Sequence, residues 1–88
     1  MAFDINNKVV LVTGANRGIG RAIVDEAISR GAAKVYAAVR TLESAESLIA
    51  AHGDRVVPIR VDLQDSESIV EAAKLATDVE MVVNNAGV

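Results

Sequence analysis

The chain contains no cysteine. That excludes a disulfide framework and a thiolate zinc site, and makes a reducing, cytoplasmic setting the expectation. Aromatic residues are nearly absent, with Phe3 and Tyr36 the only members, so the core must be built from Val, Ile, Leu and Ala. The single histidine, His52, stands near an expected helix end without an acidic or nucleophilic neighbour in sequence, and is read as a solvated surface residue. No apolar run approaches the roughly 20 residues of a membrane span. Residues Met1 to Lys8 lack the basic and apolar regions of a signal peptide, so no membrane partner is expected. Positive charge is not in excess either. Nine Lys and Arg against twelve Asp and Glu give a net charge of −3 and a pI near 5.0. This argues against nucleic acid as a partner, yet leaves room for a local basic site for one phosphate.

What is present is globular in character. The 88 residues are 51% hydrophobic and 24% charged, enough for one small domain. A chain of this size hides a little over about 60% of its unfolded surface, so its stability is marginal. Apolar runs and amphipathic stretches alternate along it. Val9 to Val12 form a continuous apolar run, the mark of a parallel strand buried on both faces. A helix follows, with Ile19, Ile23 and Ala27 at helical spacing, Ala22 beside them and Arg21, Asp25 and Glu26 opposite. Gly31 is its expected stop. "KVYAAVR" is the second strand. In the second helix Leu42, Ala45, Leu48 and Ile49 share a face, and Gly53 ends it. "RVVPIRVD" is the third strand, where Pro58 cannot donate to a ladder and so belongs at a sheet edge. Asp65 or Ser66 caps the third helix, which carries Ile69, Ala73 and Ala76 inward. Met81 to Val83 read as a fourth, buried strand.

The order β-α-β-α-β-α-β means an α/β, Rossmann-type parallel sheet with helices on both faces. Right-handed crossovers place the first two helices on one face. With the third helix on the other, the strand order is 3-2-1-4. A crevice then opens at the carboxyl ends of strands one and four, where such sheets bind ligands. "TGANRGIG", Thr13 to Gly20, and "NNAG", Asn84 to Gly87, both project into it. Gly14 permits a tight turn, Gly18 lets the backbone approach a phosphate, and Gly20 lets the helix pack close to the sheet. The following helix N-terminus offers N–H groups and a positive dipole end to a pyrophosphate. Arg21 and Ala22 after Gly20 exclude a Walker loop.

The spacing Thr-Gly-x-x-x-Gly-x-Gly joined with "NNAG" resembles the short-chain dehydrogenase/reductase family in its single-domain branch, over Lys8 to Gly87. The resemblance implies that residues 1–88 are the N-terminal, nucleotide-binding half of a Rossmann-fold domain, truncated after strand four. It implies an oxidoreductase acting on a carbonyl or alcohol, with a nicotinamide dinucleotide in the glycine turn formed by Gly14, Asn16, Arg17, Gly18, Ile19 and Gly20. By the same resemblance Asp62 accepts from the adenine amino group and the Leu63 backbone lies beside the ring. Asn85 and Ala86 line the ribose, with Gly87 closing the turn, while Asn84 either contacts the nucleotide or, as a buried amide, fixes the strands. Asp62 has a local alternative, satisfying turn amides.

The choice of nucleotide rests on charge. NAD-binding folds of this type usually end the second strand with an acid that holds the ribose 2′-OH. Here Val39 takes that place and Arg40 follows. Arg17 and Arg40 would grip a 2′-phosphate through charge-assisted hydrogen bonds, and Thr41 adds a hydroxyl, which favours NADP(H) over NAD(H). The family's catalytic Tyr and Lys, four positions apart, have no counterpart. Tyr36 lies in strand two with Arg40 four positions on, so it is read as packing and no catalytic residue is assigned. The expectation is a cofactor-binding half whose small-molecule substrate depends on a second half. A non-catalytic nucleotide-binding module remains the alternative, as does a fragment that self-associates through the open edge of strand four.

Overall fold

Short runs rich in Val and Ala make the sheet, and the polar breaks between them set its turns. The computed structural model describes residues 4–16 and 18–85. The elements are β1 Val9–Thr13, α1 Gly18–Ser29, β2 Lys34–Val39, α2 Glu46–His52, β3 Val56–Arg60, α3 Ser66–Leu75 and β4 Met81–Val83. A 3-10 turn, Leu42–Ala45, leads straight into α2. The four strands lie in the order β3-β2-β1-β4, as the alternation predicts, and all pair in parallel. Pro58 falls on β3, an outer strand. The register sets Val10 beside Val35 and Met81, so the apolar side chains of neighbouring strands align on common faces.

Two apolar clusters lie on opposite faces of the sheet. On one, Val10, Val12, Val35, Ala37 and Val39 pack with Val24 and Ala27 of α1 and Leu48 of α2. Leu48, Val10, Val12, Val24 and Val35 are fully buried, and each such side chain contributes about 1.5–3 kcal/mol by leaving water. On the other, Tyr36, Ala38 and Ile59 pack with Ala72 of α3. Asp65 caps α3, its Oδ1 accepting from the Glu67 N–H at 3.2 Å. Among the described residues no helix is long and apolar enough to cross a membrane.

The sequence periodicity misplaces several side chains. In α1 the inward residues are Gly20, Val24 and Ala27. Ile23 is half-buried, Ala22 is exposed and Ile19 is 70% exposed. Close packing at Gly20 fixes the rotation of the helix and turns Ile19 outward. In α3 the buried residues are Ser68 and Ala72, not Ile69 and Ala73, because the helix leans on β3. Ile69, Ala73 and Ala76 overhang an apolar groove shared with Leu11 and Val82. Of the second helix's expected face, Ala45 and Leu48 are buried, while Leu42 and Ile49 stay at the exposed margin. β4 is half-buried rather than enclosed: Met81 and Val83 pack against the first cluster, while Val82 between them is 64% exposed on the other face. β1 is likewise fully buried on one face alone, and β2 is the strand enclosed on both.

Polar contacts clamp the layers. His52 does have an acidic partner. Its Nε2 lies 2.7 Å from Asp25 Oδ1 of α1, a pairing invisible in sequence because α2 comes back across α1. Arg55 donates to the carbonyls of Ala32 and Ile28. Tyr36 is a packing residue with a polar tip, its hydroxyl donating to Asp78 Oδ1 at 2.7 Å. Lys34 Nζ meets Asp78 Oδ2 at 2.7 Å and lies 4.7 Å from the Tyr36 ring centroid. This clasp ties the α3–β4 connection to β2.

Lys34 first, and then Tyr36, hold the Asp78 carboxyl below its ordinary value of 3.8, and Arg60 does the same for Asp65. A lowered carboxyl stabilises the fold above its unfolded value, and that gain is lost as pH falls through the folded value. Stability should therefore drop on acidification below about pH 4. Thermal melts across this range should show a shallower acid-side drop for Asp78→Asn than for the parent chain.

Candidate functional site

α1 leaves β1 on one face of the sheet, and α3 covers the other. At the carboxyl ends of the strands the connections diverge, and a crevice of about 1190 Å³ opens. Its volume is ample for a ligand larger than those of ordinary small-molecule pockets, which hold about 300–1,000 Å³. The lining includes Thr13, Gly14, Asn16, Gly18 and Ile19 from the glycine turn, and Val39, Arg40 and Thr41 from the end of β2. Asp62 and Leu63 follow β3, and Asn84 and Asn85 follow β4. The structure thus brings together every described site residue of the sequence analysis except Gly20, which packs beneath. Arg17, Ala86 and Gly87 lie outside the described residues.

Thr13 joins the two motifs. Its Oγ1 accepts from the Asn85 N–H at 2.7 Å and lies 3.1 Å from Asn84 Oδ1, to which it donates. Asn84 is exposed rather than buried, while Asn85 is half-buried against the glycine turn. A Cβ at Gly20 would run into the Gly14 carbonyl oxygen and stand 2.7 Å from Asn85 Nδ2. Gly14 and Gly18 hold φ of +59° and +58°, a left-handed backbone that costs a side chain about 1–2 kcal/mol. Among the described residues, chain neighbours apart, nothing lies within 4 Å of a Cβ built at Gly18, which lines the crevice.

Electrostatically the crevice differs from the chain around it. α1 begins at Gly18, and its first turn carries no acidic residue, so the positive dipole end is not neutralised. Arg40 is exposed and has no hydrogen-bond or ion-pair partner among the described residues. Val39, where an acid would hold a ribose, is 2% exposed. Asp62 Oδ1 accepts from the Gln64 N–H at 3.0 Å, so the turn-amide role is real. That bond leaves the carboxylate further acceptor capacity. Ser44, which donates to the Thr41 carbonyl, Gln64 and Arg60 also line the crevice and escaped the sequence reading. Arg60 carried a usable signal: it precedes Asp62 by two residues, and alternate positions of a strand share a side. Thr13 carried one too, as the only hydroxyl at the end of β1.

These features meet at the switch point of a parallel sheet, and residues 8–88 match the family model described as short chain dehydrogenase. The chain belongs to the short chain dehydrogenase family. A cis-2,3-dihydrobiphenyl-2,3-diol dehydrogenase of Rhodococcus globerulus is 39% identical over 96% of this chain and 31% of its own. The 3-oxoacyl-(acyl-carrier-protein) reductase FabG of Haemophilus influenzae is 36% identical over 96% of this chain and 36% of its own. A crystal structure of a short chain dehydrogenase from Burkholderia cenocepacia in complex with NADP superposes with a TM-score of 0.87 at 40% identity, over 98% of this chain and 35% of that one. The chain spans about a third of the length of these relatives.

The two helix-turn glycines should respond differently to alanine. Gly20→Ala must displace the Gly14 carbonyl and Asn85, and should cost about 2–3 kcal/mol, near the top of the overpacking range. Gly18→Ala meets no obstacle among the described residues and should cost only the backbone strain of about 1–2 kcal/mol. Urea unfolding of both variants measures the difference.

Proposed function

We propose that this chain is the NADP(H)-binding portion of an oxidoreductase that acts on a carbonyl or alcohol substrate. The observation that carries the reading is Arg40, exposed and unpaired among the described residues at the lip of the crevice, beside a buried Val39. A guanidinium suits a 2′-phosphate there, and no carboxylate at the end of β2 opposes it. Thr41 adds a hydroxyl, and Arg17 stands in the glycine turn of the sequence. Gly14, Asn16, Gly18 and Ile19 cradle the pyrophosphate at the start of α1, with Gly20 packed behind them. Asp62 takes the adenine amino group, Leu63 lies beside the ring, and Asn84, Asn85, Ala86 and Gly87 border the ribose. The NADP complex of the Burkholderia cenocepacia relative supports this choice of nucleotide.

When bound, the dinucleotide supplies or accepts hydride. The chain's own residues bind and orient it. Thr13 is engaged with the asparagine turn, and the Tyr36 hydroxyl is held by Asp78 before β4, at the far end of the sheet from the crevice. On this reading the proton donor for a substrate oxygen comes from other polypeptide. Titration calorimetry tests the nucleotide assignment. Arg40→Ala should weaken NADPH binding by about 10- to 100-fold, the worth of a charged hydrogen bond, and leave NADH binding almost unchanged. Equal losses for both nucleotides would reject it.

The edge of β4 favours a second property of the 88-residue chain by itself. β4 pairs with β1 alone, and Val82 stands 64% exposed beside that edge. Unpaired strand edges of this kind template pairing with another chain. The chain should self-associate through Met81 to Asn84. Light scattering at micromolar concentration should show a mass above one chain, and a Val82→Lys substitution should lower it.

A further inference from the structure

Arg60 closes β3, in register with Val39 of β2, and lines the crevice next to Asp62. Its guanidinium spans two carboxylates: Nη1 lies 3.0 Å from Asp65 Oδ2, and Nη2 lies 3.8 Å from Asp62 Oδ2. The two acids differ in how they are held. Asp65 caps α3, so the helix fixes its place. Asp62 stands on the turn leaving β3, where the Gln64 N–H takes Oδ1 and Ser68 Oγ accepts from the Asp62 N–H at 2.9 Å. Ser68, 5% exposed, anchors that turn to α3. The backbone of Asp62 is therefore fixed and one carboxylate oxygen is held by the Gln64 N–H, while Arg60 is the cation that faces the other, Oδ2.

We propose that Arg60 is a positioning residue for base selection. Bridged to the helix cap, it holds Asp62 with its remaining lone pairs toward the crevice, so that the site takes adenine and discriminates against hypoxanthine. The inference rests on the dinucleotide reading above. An ionised carboxylate only accepts hydrogen bonds. Adenine offers it an amino group at C6. Hypoxanthine offers a carbonyl oxygen at the same place, which sets acceptor against acceptor. Sites built to hydrogen-bond one group reject an analogue that lacks it, because the buried polar atom is left unpaired. The planar fork of arginine suits this bridge better than a lysine ammonium, since it engages both acids at fixed angles.

The test is calorimetry of the 88-residue chain with NADPH and with its hypoxanthine analogue. The parent chain should prefer NADPH by at least about tenfold. Arg60→Gln should narrow that ratio toward one, chiefly by weakening NADPH. Asp65→Asn should do the same. Asparagine caps a helix as well as aspartate does, so this variant keeps α3 while removing the ionic anchor of Arg60. If Arg60→Gln loses its fold by circular dichroism, the Asp65→Asn ratio decides. A merely structural Arg60 would weaken both nucleotides by the same factor, and an unchanged ratio in the folded variants overturns the proposal. A parent chain that binds both nucleotides equally overturns it too, leaving the dinucleotide reading intact. Binding of neither nucleotide overturns the dinucleotide reading itself.

Discussion

The first turn of α1 lies against the carbonyl of Gly14 and the side-chain amide of Asn85, with no side chain between them. The geometry of the site follows from this contact. It sets the rotation of α1, so Val24 and Ala27 face the sheet and Ile19 faces the crevice. It also brings the turn after β4 against the turn after β1, where Thr13 can join them through Asn84 and Asn85. The helix dipole is then aimed at the space above both strands. A methyl group at Gly20 would push the helix back and loosen all of these at once.

Charge is distributed with the same economy. The chain is acidic overall, yet most of its cations are spent on neighbouring acids. Lys34 meets Asp78, Arg30 meets Glu26, Lys8 meets Glu80, Lys74 meets Glu71 and Arg60 meets Asp65. Exposed pairs of this kind add little stability each. In the crevice, Arg40 has no such partner among the described residues, and the N-terminus of α1 carries no acid in its first turn.

Topology was legible because it depends on coarse signals. Alternating apolar runs and amphipathic stretches imply parallel strands with crossover helices, and Pro58 marks an edge whatever its neighbours are. The two glycine and asparagine turns were legible because each follows a strand and meets the other at a switch point. The fine facing of helices was not. A one-residue rotation of α1 is invisible to a spacing that Ile19, Ile23 and Ala27 satisfy as well as Gly20, Val24 and Ala27 do. What decides between them is a contact with Gly14 and Asn85, and the second of these lies 65 residues away along the chain. The Asp25–His52 and Tyr36–Asp78 pairs were hidden for the same reason. Asp62 shows the converse case, since its turn-making role is local and was foreseen, whereas its bridge to Arg60 follows only from the way strand and helix cap converge.

The position of Pro58 bears on how far such a sheet can grow. Its outer strands are unlike. Among the described residues β4 is paired on one side only, with β1, but β3 carries at its centre a residue with no N–H to give. Sheet extension by hydrogen bonding is therefore hindered at the β3 margin. Two copies that meet β4 to β4 about a two-fold axis leave a proline-bearing strand at each outer end. Such an assembly is isologous and ends at two, whereas a sheet with two equally receptive margins would continue into a filament.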